Sequence, residues 1–428
     1  MNVLLISANS EQVNMPAYPL GMDCVAAATR AAGHCVTALD LYCAADLDAA
    51  VQDAVRNANP GAVGISVRNI DDQNVISQRF MLDTARNVVL ACRAQTSAPI
   101  ILGGAGYSIY PQAALDYCGA DWGVHGEGEV AFPAMVRALE TGASPAHIPG
   151  VFARGAGCRA PRQLIADLDA LPLPDFDLWQ HMDDKQSLML PVQTRRGCAL
   201  DCSYCSTAAI EGRATRRRSI ASALKMLARA SQAGFRNIFF TDNIFNLPPH
   251  YAKDLCRGIL DSGLDIRWQC IYYPWKPDPE LVALMHASGC RFVSLGAESG
   301  SPPVLQMLHK RFGPDDIRTA ADVLKSNGIK VMGFLMLGGP GETRDTALES
   351  LAFMDSLGLD MCKLTLGIRI YPHTDVAAQA VAHGLADPDD DLLRPRYYIA
   401  PELDTWLRST IREWAATRAG WMSDLLDP

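Results

Sequence analysis

Three thiols carry the clearest chemistry in this sequence. Cys198, Cys202 and Cys205 stand at spacing C-x3-C-x2-C in the run Arg195-Arg196-Gly197-Cys198-Ala199-Leu200-Asp201-Cys202-Ser203-Tyr204-Cys205. Cysteine thiolates are the usual ligands of iron–sulfur clusters, four of them for a cubane. Three on one tight loop would hold three irons of a [4Fe–4S] cluster and leave the fourth open to an outside molecule. A structural zinc asks instead for a fourth Cys or His at a recurring spacing. The next candidates downstream, His250 and Cys256, begin roughly 45 residues on. Three incidental cysteines are the third reading.

Composition narrows the setting. At 428 residues the chain is long enough for two or three domains, taking about 150 residues per domain. An apolar content of 49% supplies sizeable cores, and a net charge of −9 gives no basic footprint, so no nucleic-acid partner is expected. The 13 cysteines are an odd number in a long chain, which fits a reducing compartment better than a disulfide scaffold. The start, Met1-Asn2-Val3-Leu4-Leu5-Ile6-Ser7-Ala8, lacks a basic segment and reads as a strand. No apolar run reaches the ~18 residues of a membrane span. A cytoplasmic protein without an integral membrane segment is expected, with a lipid-like substrate still open.

The elements that must position the thiols alternate between strand and helix. Over residues 1–145 strands are expected at Val3–Ser7, Val36–Asp40, Ala62–Val67, Pro99–Leu102 and Trp122–Val124. Between them helices are expected at Leu20–Ala32, Asp46–Ala58, Ile76–Ala94 and around Pro111–Tyr117. That pattern predicts a doubly wound, Rossmann-like α/β domain whose ligands lie past the carboxyl ends of its strands. The loops at that edge are Ala8–Pro19, Arg68–Gln73, Gly103–Gly106 and Gly126–Glu129. Residues 146–189, crowded with Pro and Gly, read as a linker in which Trp179 could line a cleft. From 190 to 375 six strand-and-helix units predict a partial (β/α)6 TIM-type barrel with its site at the carboxyl ends of the strands. Residues 376–428 read as a helical tail with Trp406 and Trp414 on its buried face.

The cysteine loop resembles that of radical S-adenosylmethionine (SAM) enzymes, in which an aromatic residue precedes the third cysteine, as Tyr204 does here. The first domain resembles the cobalamin-binding domain that precedes many of them. Pro16, Leu20-Gly21, Gly103-Gly104 and the turn Gly126-Glu127-Gly128-Glu129 carry that likeness. The sequence thus resembles a cobalamin-dependent radical SAM enzyme with a B12-binding domain, like a class B methyltransferase. The family's Asp-x-His-x-x-Gly pattern is absent, since His34 and His125 have other neighbours. Cobalamin without an axial histidine is therefore expected.

The resemblance implies a [4Fe–4S] cluster on Cys198, Cys202 and Cys205, chelation of its open iron by SAM, and cleavage of SAM to a 5′-deoxyadenosyl radical. SAM contacts would come from Tyr204, Asp242, Asn243, Glu298, Gly338, Gly339 and Arg369. Cobalamin contacts would come from Arg68, Asn69, Gly103, Gly104, Gly126, Glu127 and Gly128, with Arg68 facing the lower side of cobalt. The implied reaction is methyl transfer to an unactivated carbon of a small metabolite, natural product or lipid precursor. An electron donor such as flavodoxin or ferredoxin would serve it. Ring formation with cobalamin is the alternative, and a non-catalytic corrinoid or cluster sensor is a more distant one.

Overall fold

The structure is a computed structural model that describes residues 1–10, 16–179, 182, 184–423 and 425; within the loop Ala8–Pro19, residues 11–15 thus lie outside the described set. The chain divides into two compact units. The first comprises Met1–Asp72, Phe80–Pro191 and Thr207–Arg236, and the second Gln73–Arg79, Val192–Ser206 and Asn237–Pro428.

The first unit is built on strands β1 (Asn2–Ser7), β2 (Cys35–Asp40), β3 (Ala62–Ser66), β4 (Ile100–Gly103), β5 (Trp122–Val124), β6 (Val151–Ala153) and β7 (Gly157–Cys158) in the order β2-β1-β3-β4-β5-β6-β7. β1 to β5 pair in parallel. In β1 and β3 the apolar runs are buried on both faces, as central parallel strands require. Helix α1 (Leu20–Ala31) and the helix Gly128–Glu140 place Met22, Ala26, Phe132 and Met135 in one core cluster with Val3, Leu5 and Ile101. The order reverses between β1 and β3, and such a switch point is where open α/β sheets bind ligands. Arg68 and Asn69 follow β3 at that edge.

Two expectations for this unit need correcting. The stretch 146–189 is not only a connector: β6 and β7 form an antiparallel hairpin that extends the sheet. Trp179 lies fully buried beside Tyr18, with ring centroids 5.2 Å apart, and donates to Asp40 Oδ2 at 2.8 Å. Helix α3 starts at Leu82, not 76, and runs to Arg93 after α2 (Leu47–Ala58). The Asn74 side chain accepts from the backbone N–H groups of Ile76 and Ser77, which favours a turn over a helical start.

The second seven-stranded sheet consists of β8 (Met189–Val192), β9 (Asn237–Phe240), β10 (Arg267–Tyr272), β11 (Cys290–Glu298), β12 (Lys330–Leu337), β13 (Met361–Leu366) and β14 (Trp421–Ser423). Their order is β14-β13-β12-β11-β10-β9-β8, and the pairs from β9 to β14 are parallel. The seventh strand, β14, arises from the tail, read from sequence as helical only. The tail helix Asp404–Ala416 buries Leu407, Ile411 and Ala415, whereas Trp406 and Trp414 are half-buried. The apolar stripe at i, i+4 and i+8 thus decides the packing, not the two tryptophans. Along β10, β11, β12 and β13 one face is fully buried while the other, with Gln269, Ser294, Glu298, Phe334, Met336 and Thr365, is half-buried. A sheet covered by helices on one side and half-open on the other is the form of an incomplete barrel.

Gly104 shows how closely the strand edge is packed. Its φ is +103°, and a Cβ there would stand 2.5 Å from the Val67 carbonyl oxygen. Gly104→Ala should therefore cost about 1–3 kcal/mol, read as a lower thermal or denaturant midpoint of the first unit. An unchanged midpoint would mean that the turn relaxes freely.

Candidate active site

The cysteine loop begins at a buried ion pair. Asp242, at the end of β9, is fully buried. Its Oδ1 accepts from the backbone N–H groups of Thr194 (2.6 Å) and Arg195 (2.8 Å). Its Oδ2 accepts from Thr194 Oγ1 (2.6 Å) and Arg195 Nε (2.9 Å), and Arg195 Nη2 stands in ion-pair contact at 2.8 Å. The guanidinium also lies over the rings of Phe245 and Tyr251, at 5.3 and 4.9 Å. The carboxylate that the sequence reading offers to SAM thus has both oxygens engaged within the chain. Asp242 instead fixes the two residues that lead into Arg196-Gly197-Cys198. Asn243 beside it reaches the Gly197 carbonyl at 3.5 Å.

The rest of the loop is tied to the segment after β11. Ser203 N–H donates to the Leu308 carbonyl at 3.3 Å, and Val376 N–H donates to the Ser203 carbonyl at 3.1 Å. His309 Nδ1 lies 3.0 Å from the Asp201 carbonyl. Tyr204, preceding the third cysteine, donates its hydroxyl to Glu298 Oε1 (3.1 Å). Lys310 Nζ donates to the same hydroxyl at 2.9 Å and to Glu298 Oε1 at 3.2 Å. Burial, then the Glu298 charge, push the Tyr204 hydroxyl well above its ordinary range. Burial opposes the Lys310 charge, but Glu298, Tyr204 and Cys202 outweigh it, so the ammonium is held more firmly than usual. Sequence reasoning missed Lys310. Its only signal was a basic pair, Lys310-Arg311, following β11.

Cys198 and Cys202 are half-buried and Cys205 is exposed, whereas Cys92, Cys118, Cys256 and Cys362 are buried. Burial pushes those four thiols up to about 12, which makes them inert. Cys35 is exposed and Cys158 half-buried, but each stands alone in the sequence, so the loop thiols are the accessible cysteines gathered on one segment and fit an iron–sulfur cluster. Among the described residues no three His, Cys, Asp or Glu side chains gather tightly enough for a single metal ion. A cluster does not ask for that, because each thiolate binds a different iron.

The remaining strand-end candidates divide. Gly338 and Gly339 both donate their N–H to Glu342 Oε2. A Cβ on Gly338 would lie 3.3 Å from Ile399 and Leu407, and one on Gly339 would lie 2.9 Å from Ile368. Both glycines thus pack protein against protein here. Arg369 is buried and donates to the carbonyls of Ile370 (2.6 Å), Leu392 (3.0 Å) and Leu393 (3.3 Å). It braces a loop and offers no open fork to an anion.

In the first unit Glu127 is likewise committed inside the chain. It accepts from Arg216 Nη1 at 2.6 and 2.7 Å and from Ile165 N–H at 2.7 Å. The same Arg216 holds the Glu211 carbonyl (2.7 Å), and Arg162 holds those of Ala208 (3.1 Å) and Ile210 (2.6 Å). His125 Nε2 reaches the Ala209 carbonyl at 3.2 Å. Burial and then the Arg162 charge lower His125 to about 4, so it is neutral near pH 7. Together these side chains cap the short helix Thr207–Glu211 directly after the cysteine loop. Gly126 and Gly128 give way to Arg162 and Val25, and Gly104 and Gly106 to the backbone of residues 67–69. Gly103 is crowded by nothing closer than 3.9 Å.

Arg68 is different. It keeps exposed surface, while the protein around it lowers its pKa through desolvation. Among the described residues its guanidinium has no ion-pair or hydrogen-bond partner. A cation presented without a partner at the switch point of a parallel sheet suits a large ligand such as cobalamin.

Two outcomes follow. Asp242→Ala leaves the buried Arg195 uncompensated and should cost about 3–5 kcal/mol, together with loss of iron after reconstitution; wild-type iron content would remove the pair from any part in holding the loop. Burial raises Glu342 to about 7 against the Gly338 and Gly339 N–H groups. A carboxyl raised in the folded state favours folding below its unfolded pKa and loses that contribution as pH climbs to the folded value. Stability of the second unit should therefore fall between about pH 4.5 and pH 7, and Glu342→Gln should flatten that slope in denaturant titrations.

Comparison with known proteins agrees with this geometry. Residues 192–354 match the model of the Radical SAM superfamily, and residues 6–136 that of the B12 binding domain. An uncharacterized methyltransferase of Pyrococcus horikoshii is 28% identical over 90% of this chain and 84% of its own length. Tryptophan 2-C-methyltransferase of Streptomyces laurentii is 26% identical over 86% of this chain and 73% of the relative. The fold is shared with the radical S-adenosylmethionine methyltransferase TsrM from Kitasatospora setae, solved with tryptophan and a SAM analogue. There the TM-score is 0.84 over 100% of this chain and 89% of that one, at 23% identity. Two domain models side by side and relatives aligned over most of the chain place it among the cobalamin-dependent radical SAM enzymes, as a methyltransferase that works with a [4Fe–4S] cluster, SAM and cobalamin.

Proposed function

We propose that this methyltransferase acts on a carbon without a nucleophilic lone pair in a small-molecule substrate. The observation that carries the reading is the pairing, in one chain, of a preorganised three-thiol loop with a cobalamin-binding domain. Methylation of an electron-rich atom by SAM needs neither metal cofactor. When bound, the cluster with SAM supplies hydrogen-atom abstraction and cobalamin supplies the methyl group. Cys198, Cys202 and Cys205 are the proposed cluster ligands. Tyr204, Asn243 and Glu298 border the SAM site in this reading, with Asp242 positioning the loop. Relatives named for tryptophan and for cytidylyl-2-hydroxyethylphosphonate support a soluble metabolite. The half-open face of β10 to β13, mixing Phe334 and Met336 with Gln269, Ser294 and Thr365, suits a substrate of mixed polarity. Among the described residues no helix is long and apolar enough to cross a membrane. A cytoplasmic setting with a flavodoxin- or ferredoxin-like donor belongs to the same proposal.

Arg68 and Asn69, at the switch point of the first sheet, are the residues we assign to cobalamin, with Gly103 at the neighbouring strand end. No histidine is assigned to cobalt: His125 is engaged with the Ala209 carbonyl, and His34 lies buried near the amino terminus and Glu140. Electron paramagnetic resonance of the reduced cobalamin-loaded protein should lack coupling to an imidazole nitrogen. Such coupling would overturn the assignment.

One relative, the anaerobic magnesium-protoporphyrin IX monomethyl ester cyclase of Rubrivivax gelatinosus, is 24% identical over 64% of this chain, which keeps ring formation as a second reading. Product stoichiometry separates the two. Replacing C–H by C–CH3 consumes one SAM as hydrogen acceptor and a second as methyl source. With substrate and reductant supplied, 5′-deoxyadenosine and S-adenosylhomocysteine should form in roughly equal amounts, with labelled SAM methyl in the product. Steady formation of 5′-deoxyadenosine with no label in the product would favour the cyclase reading.

A further inference from the structure

Glu298 closes β11 with a backbone φ of +65°, where the register with β12 shifts. Few residues other than glycine adopt that conformation, and those that do gather at ligand clamps. The Glu298 side chain is 14% exposed and uses its two oxygens unequally. Oε1 accepts from the Tyr204 hydroxyl at 3.1 Å and from Lys310 Nζ at 3.2 Å. Oε2 accepts from no described residue and is not sealed from solvent. Lys310 is the more deeply enclosed of the pair. Its side chain is 3% exposed, and Nζ also donates to the Tyr204 hydroxyl at 2.9 Å. The ammonium lies 5.1 Å from the ring centroid of Tyr204 and 5.9 Å from those of Tyr273 and Phe312. The Tyr273 ring is itself pinned, its hydroxyl accepting from the Arg311 N–H at 3.0 Å. Ammonium, hydroxyl and carboxylate oxygen thus close a ring of charge-assisted hydrogen bonds, which holds the Glu298 carboxylate in one rotation.

We propose that Lys310 is a positioning residue for SAM: it anchors Glu298 through Oε1, so that Oε2 is presented to SAM as a single fixed acceptor. The inference rests on the reading above, in which Glu298 borders the SAM site. SAM brings hydroxyl and ammonium donors, and either makes a charge-assisted bond to a carboxylate oxygen. A carboxylate free to turn would lose that freedom each time a ligand binds. With Oε1 already held by two donors, the ordering is completed in folding and the acceptor is preorganised. At 3% exposure the ammonium has no open side for SAM, so its effect on SAM travels through Glu298.

The test is a double-mutant cycle on SAM affinity. Full-length protein, anaerobically reconstituted and loaded with cobalamin, is kept oxidised so that SAM binds without being cleaved. The Kd is measured by equilibrium dialysis against labelled SAM, with iron per chain read alongside. Glu298→Gln replaces the open acceptor by an amide and should raise the Kd about 10–100-fold. Lys310→Met should raise it about 5-fold or more, with iron per chain unchanged. The double variant Lys310→Met/Glu298→Gln leaves no buried charge unpaired and should bind SAM within about twofold of Glu298→Gln alone. Where Lys310→Met does not fold, Lys310→Gln takes its place in both arms. A wild-type Kd in the single lysine variant would overturn the proposal. So would a double variant in which the two single losses multiply, because Lys310 would then act on SAM by a route other than Glu298. Loss of iron from the single lysine variant would tie Lys310 to the cluster loop, and failure of both lysine substitutions to fold would make the pair an element of the fold alone; either result overturns the proposal. A wild-type Kd in Glu298→Gln would instead refute the placing of Glu298 at the SAM site beneath it.

Discussion

The cluster loop depends on the Arg195–Asp242 pair more than on any other contact. Two ions removed from water cost several kcal/mol each, recovered only when every lone pair and N–H finds a partner. Most do here: Asp242 accepts from both backbone and side chain of Thr194 and Arg195, Arg195 Nη1 donates to the Leu247 carbonyl, and aromatic rings cover the guanidinium, whose Nη2 is held by charge alone. Apolar residues of equal volume could bury as well. What they could not do is fix the backbone of residues 194 and 195 relative to β9. That direction is inherited by Gly197, at φ +83°, and so by Cys198.

A second set of ties reaches the loop from β11 and the segment that follows it. The peptide of Ser203 is held on both sides, by Leu308 and Val376, while Tyr204 is locked between Glu298 and Lys310. The three thiols thus sit on a backbone that is held by protein partners along its length. Cofactor ligands held this way need little reorganisation on binding, which is how a protein contributes to chemistry that its cofactors perform. The first unit applies the same device to the helix Thr207–Glu211, whose carbonyls are taken by Arg162, His125 and Arg216.

The strands and the cysteine loop were legible in the sequence because both depend on local signals: apolar runs at regular spacing, and three thiols within eight residues. The tail strand β14 was not, since three residues after a helix carry no periodicity and gain their partner from β13 across the fold. The strand-end candidates that the structure shows engaged within the chain share one feature. Position at the end of a strand tells that a side chain can reach the ligand edge, but not whether another residue has already claimed it. Asp242 is claimed from 47 and 48 residues earlier, Glu127 from 89 residues later, and Arg369 by carbonyls of the loop at 392–393. Lys310 fails in the other direction. A basic pair in sequence reads as surface, and only the fold encloses its lysine.

Glycine was the other ambiguous signal. Gly104, Gly126, Gly128 and Gly339 would each bring a Cβ to about 3.1 Å or less from another protein atom, so protein packing alone accounts for them. Gly103 has no such neighbour, and Arg68 nearby has no partner among the described residues. Crowding therefore distinguishes glycines that let the chain close upon itself from a position with room for something else. In the first unit that leaves the strand ends of β3 and β4, next to the switch point of the sheet, as the edge with an unclaimed charge and unfilled space. Topology predicts a ligand at that edge. The loops around it agree, because the other polar groups they carry, above all Glu127, have been drawn inward to brace the fold.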